Sequence, residues 1–127
     1  MLPNLHLVFL CLVGVVWTAG CAPTSVANSD PRQARELVDR LLSAWKSGAT
    51  PLELKHEVPP VFVGEELWKS GASLSSYEII GDHQMMGPNV RFTILLRFTD
   101  RNGKAVERTF NYLVTTTPAL TFFREEG

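Results

Sequence analysis

The chain has 127 residues, of which 45% are hydrophobic and 20% charged, with only 9 glycines and 8 prolines. This composition excludes wholesale disorder and leaves room for one domain. A formal net charge of −1 excludes the global basic field expected of a nucleic-acid binder. The 12 basic and 13 acidic residues all lie after Gly20, so the two parts of the chain suit different solvents. Both cysteines, Cys11 and Cys21, fall in or beside the uncharged part, so no disulfide framework braces the rest.

From Leu5 to Trp17 the chain reads LHLVFLCLVGVVW. As a helix this run would span roughly 20 Å at about 1.5 Å per residue, short of the roughly 30 Å of a hydrocarbon core. It suits the apolar region of an export signal, and the small residues Ala19 and Gly20 follow where a signal peptidase would cut. An uncleaved anchor and an ordinary secreted protein are the alternatives. Thr18-Ala19-Gly20-Cys21 resembles the lipobox of bacterial lipoproteins, with Thr18 where that family usually has Leu, Val or Ile. The leader also lacks Lys or Arg near its start.

The resemblance implies cleavage before Cys21, a diacylglyceryl group on its thiol and acylation of the new amino group. Residues 1–20 would then be the signal peptide and 21–29 a lipidated end and tether. Residues 30–127 would form a single domain. The resemblance implies export to the cell envelope and lipid attachment to a membrane. Ala22 stands where an inner-membrane retention signal would carry Asp, which favours an outer membrane if one exists.

Asp30-Pro31-Arg32-Gln33 opens a helix: Asp30 can cap, Pro31 suits the first position, and Gln33 completes a capping-box pattern. Ala34, Leu37, Val38, Leu41, Leu42 and Trp45 make one apolar stripe over about residues 31–47, with Glu36 and Arg40 as an i,i+4 pair on the wet side. Gly48 ends it. Thr50 and Glu53 signal a second cap, for a turn of helix that Val58-Pro59-Pro60 stops. The spacing predicts an ordered connector over residues 48–72, pegged by Phe62 and Trp68.

Beyond Gly71 the apolar period becomes two. Strands are predicted over Leu74–Gly81, from Val90 to about Thr99, from Val106 to about Thr115, and over Ala119–Arg124. Asp100-Arg101-Asn102-Gly103 is a hairpin turn, residues 81–89 a loop, and Thr117-Pro118 a further turn. The expected fold class is α+β: one amphipathic helix on a four-stranded antiparallel meander. The order resembles the cystatin-like and nuclear-transport-factor-2-like shape. Trp45-Lys46-Ser47-Gly48 and Pro59-Pro60 also resemble a pattern in small bacterial lipoproteins of unknown activity. Neither resemblance implies an activity.

Chemistry-bearing residues are sparse. His56 and His83 lack neighbours at zinc-ligand spacing, and His6 belongs to the leader. Glu78, Asp82 and His83 lie close in sequence, but adjacent strand residues face opposite ways. Met85 and Met86 either tuck under the sheet or form a contact patch. Of the strand arginines, Arg108 shares its parity with Val106 and Phe110, which suits a position near a strand end with its stem packed. There is no GxSxG, P-loop, HExxH or CxxC motif.

The expectation is a non-enzymatic interaction or structural module with no cofactor beyond the lipid on Cys21, meeting a membrane and an envelope protein rather than nucleic acid. The alternative is a small-ligand binder or enzyme with a cone-shaped pocket. Trp45, Tyr77, Glu78, Asn111 and Tyr112 are its candidate lining, although in a domain this small these aromatics read first as the material of a core.

Overall fold

The computed structural model describes residues 27–126. The expected leader, Cys21 and most of the expected tether lie outside the described residues. The elements are α1 (Pro31–Lys46), α2 (Pro51–Lys55), β1 (Val61–Gly64), α3 (Glu66–Lys69), β2 (Ser73–Met86), β3 (Asn89–Thr99), β4 (Ala105–Thr115) and β5 (Leu120–Arg124).

Helix α1 forms where its cap and stripe place it. The Asp30 carboxylate accepts the Gln33 N–H at 2.8 Å, and Pro31 opens the first turn. All six stripe residues, Ala34 to Trp45, are buried. On the wet side the ion pairs differ from the expected Glu36–Arg40. Glu36 meets Arg32 at 3.6 Å, and Arg40 reaches Glu57 at 3.9 Å, beyond α2. Thr50 and Glu53 make the expected capping box on α2.

The sheet corrects the expected architecture. It has five strands in the order β1-β5-β4-β3-β2, and it is mixed rather than purely antiparallel. β2, β3, β4 and β5 pair antiparallel as a meander, while β1 pairs parallel with β5. Its register sets Val61 opposite Leu120 and Val63 opposite Phe122. The segment VFVG sits inside the region read as connector. Four residues after two prolines are too few to display an alternation, and the partner strand lies far along the chain.

A second correction concerns residues 81–89. They are not a loop, because β2 continues to Met86. The register slips between Leu74 and Ser76 and again between Ile80 and Gln84. Bulges of this kind break the alternation that identifies a strand in sequence. At the far end, the 100–104 turn matches expectation. Asp100 Oδ1 accepts the N–H groups of Asn102 and Lys104 at 2.9 Å each, and Gly103 takes φ +80°, which a side chain would disfavour.

One face of the sheet joins α1 in a single core. Phe92, Ile94, Leu96 and Phe98 of β3 are buried there with Tyr112, Val114 and Phe122. The connector closes the remaining side. Trp45 and Trp68 stack at 5.2 Å with planes 6° apart. Their indole N–H groups donate to Ala72 O and Ala49 O, both at 2.8 Å, so each buried donor is satisfied.

Ser29, read as the end of the tether, is instead part of the domain. Its side chain is buried, its N–H donates to Pro88 O at 3.0 Å, and its hydroxyl accepts the Thr116 N–H at 2.9 Å. The chain therefore enters the fold at the pole formed by the β2–β3 and β4–β5 turns.

Leu41 is fully buried in the centre of the stripe. Leu41→Ala is expected to destabilise the protein by about 2–5 kcal/mol. Urea unfolding followed by tryptophan fluorescence should show the midpoint fall with little change in slope.

Candidate functional site

The five residues expected to line a pocket do not converge. Trp45 is buried against Trp68. Tyr77 is half-buried, and its hydroxyl donates to Asp39 Oδ1 at 3.0 Å. Burial chiefly pushes its pKa up. Tyr112 is wholly buried. Glu78 and Asn111 are exposed on the opposite, outer face, where Asn111 Oδ1 accepts the Thr93 hydroxyl at 2.7 Å. The cause is the pleat: the outer face carries Glu78 opposite Leu95 and Asn111 opposite Thr93, whereas Tyr112 pairs with Phe92 on the inner face.

The other sequence candidates are equally dispersed. Asp82 and His83 lie exposed in the β2 bulge without a hydrogen bond joining them. His83 rests 6.3 Å from the Phe92 ring, as a packing contact. Met85 and Met86 are 43% and 39% exposed beside the turn that holds Ser29, so they neither tuck fully under the sheet nor stand free of it. Arg108 faces the helix side opposite Leu96 but is exposed, at a strand end. Among the described residues, no three His, Cys, Asp or Glu side chains gather as a metal site would need.

Two features were not legible in the sequence. The first is Glu65, a carboxylate with 0% exposure at the end of β1. Its Oε2 accepts the Tyr112 hydroxyl at 2.5 Å. Its Oε1 accepts the Leu67 N–H at 2.8 Å and faces Arg124 Nη1 at 3.3 Å. The Arg124 guanidinium also covers the Phe110 ring at 4.6 Å, and Tyr112 stacks on Phe122 at 4.6 Å. Every oxygen of the buried carboxylate has a partner, as a buried charge requires. Burial first, then the negative charge of Glu65 and the hydrogen bond to it, hold the Tyr112 phenol far above its ordinary value of 10.0. A phenol so held keeps its proton and donates it to the Glu65 carboxylate. In sequence, Glu65 reads as one of two acidic residues starting a polar turn, because its partners come from β4 and β5.

The second feature is a groove of about 620 Å³ on the outer side of the β1 edge. It is lined by Pro51, Leu52 and Lys55 of α2, Phe62 of β1, Lys69 of α3 and Phe123 of β5, with Thr50 and Val63. Phe62 was expected as a peg of the core. It instead faces outward, because Val61 and Val63 take the inward positions of β1.

Tyr112→Phe removes a donor from a buried carboxylate and is expected to cost about 1–3 kcal/mol. The pH dependence has a definite sign. The folded state favours protonated Tyr112, so this contribution is fully present below the unfolded tyrosine pKa near 10 and is lost as pH rises beyond it. Stability measured from pH 8 to 11 should decline less steeply for Tyr112→Phe than for the parent chain.

No protein-family model, curated protein or solved structure matches this chain, so its function is read from its own residues.

Proposed function

We propose that this protein is a lipoprotein of the cell envelope, anchored through Cys21, whose folded domain is a non-enzymatic interaction module. The observation that carries the reading is the leader: an apolar run from Leu5 to Trp17, then Thr18-Ala19-Gly20-Cys21, with no charged residue before Asp30. One acyl chain binds a membrane only reversibly, whereas the two or three chains of a lipoprotein hold stably.

The geometry of the domain supports the reading in two ways. Ser29 is pinned between Pro88 and Thr116, so the segment from Cys21 enters at one defined pole. Eight residues reach at most about 27 Å when extended. A lipid on Cys21 would keep that pole, with half-exposed Met85 and Met86, near the membrane surface. The outer face of the sheet and the 100–104 turn would remain available to a partner in the envelope. The ionisable groups are either solvated, as Asp82 and His83 are, or locked in ion pairs and hydrogen bonds, as Glu65 and Tyr112 are. They serve the fold rather than a reaction.

Growth with an alkyne analogue of palmitate tests the anchor. The parent chain is expected to take up label, to fractionate with membranes, and to give a mature mass that begins at diacylated Cys21. Cys21→Ala should lose both label and membrane attachment. Label retained by that variant would overturn the proposal.

A further inference from the structure

We infer that the groove beside β1 binds a fatty-acid anion, its aliphatic chain on Leu52, Phe62 and Phe123 and its carboxylate on Lys55 and Lys69. Leu52, Phe62 and Phe123 are 63%, 37% and 43% exposed, and all three line this groove. Large apolar side chains left exposed and gathered together mark binding surfaces, whereas scattered ones do not. The volume, about 620 Å³, falls within the roughly 300–1,000 Å³ typical of small-molecule sites.

The position of Phe123 in the groove depends on a bare backbone. Gly64 pairs with Phe123 across β1 and β5. A Cβ at Gly64 would lie 2.0 Å from Phe123 Cδ1 and 2.6 Å from its Cε1. The ring therefore lies over the glycine, where any side chain would displace it. This close approach places an aromatic face beside Phe62 at the edge of the sheet.

Charge and polarity select the ligand class. Among the described residues, both ionisable groups of the lining are lysines and no carboxylate lines the groove. Lys69 has Glu66 at 3.9 Å, whereas Lys55 has no carboxylate within 4 Å among the described residues. The lining thus favours an anion. The only neutral side chain in it able to hydrogen-bond is Thr50, whose hydroxyl already accepts the Glu53 N–H at 3.3 Å. A bound peptide would bring a backbone N–H and C=O at every residue, and it would have to pair them along the free edge of β1 rather than with the side chains that line the groove. An aliphatic chain brings none, and its single carboxylate matches the two ammonium groups. The inference stands on these groove residues and does not depend on a lipid at Cys21.

The test uses the full-length chain in phosphatidylcholine vesicles with a diazirine-bearing sixteen-carbon fatty acid, irradiated and mapped by peptide mass spectrometry. Adducts are expected on the peptides carrying Leu52, Phe62 and Phe123, and excess palmitate should suppress them. The matching diazirine alcohol, which lacks the charge, should label these peptides less. The double variant Lys55→Glu/Lys69→Glu should reduce groove labelling roughly threefold to tenfold, as expected for exposed charge pairs. Leu52→Asp changes an exposed side chain, and it should reduce labelling while leaving the urea midpoint in place. Labelling confined to residues outside the groove, equal labelling by acid and alcohol, or labelling unmoved by both variants would each overturn the inference.

Discussion

The covering of one sheet face by one helix governs the rest of this structure. Adjacent strands lie about 4.8 Å apart, so five of them span roughly 19 Å between the outermost axes. A helix with its side chains is only about 10–12 Å across. Helix α1 supplies its whole stripe from Ala34 to Trp45 and still cannot shield the inner face alone. The chain between α1 and β2 completes the cover, which explains why so short a connector is so ordered. Trp68 stacks on Trp45, Leu54 is buried, and Val61 and Val63 extend the inner face by one strand. The two indole N–H bonds, to Ala72 and Ala49, fasten the connector to the helix end without leaving a buried donor unpaired.

Glu65 shows what it takes to close that edge. A buried carboxylate is a poor source of net stability, because its desolvation offsets most of what its partners return. Its three partners, however, come from α3, β4 and β5. The observed placement of β1 against β5 satisfies them all. A slip of one residue would turn Val61 and Val63 outward and would move Glu65 away from Tyr112 and Arg124. The contacts of Glu65 to Tyr112 and Arg124 thus add to the pairing of the shortest strand of the sheet, where four residues specify little alone. The same placement turns Phe62 outward and lays Phe123 over Gly64, which forms the apolar groove.

The domain is polarised in consequence. Its N-terminal entry is held at the pole of the β2–β3 and β4–β5 turns by Ser29 and Thr116, while the 100–104 turn occupies the other end. The groove lies at the β1 edge of the outer face and belongs to neither turn. The proposed anchor at Cys21 and the proposed ligand site at the edge strand are thus compatible. Each draws on different residues, and neither needs the buried network to change.

Some of this was determined by the residues themselves. The α1 cap and stripe, the Thr50–Glu53 box, the alternation of β3 and β4, and the turn at Asn102-Gly103 all report interactions within a few positions, so spacing alone specifies them. The proposed leader before Cys21 is likewise read from local composition alone. Tertiary structure alone decided the parallel β1–β5 pair, the continuation of β2 through its bulges, and the burial of Glu65. The groove belongs with these, since Leu52, Phe62 and Phe123 sit on three different elements. Each arises from a meeting of distant segments or from a break in period two. Local patterning carries neither, because a residue's neighbours in sequence do not disclose which strand will lie beside it or which face a bulge will turn.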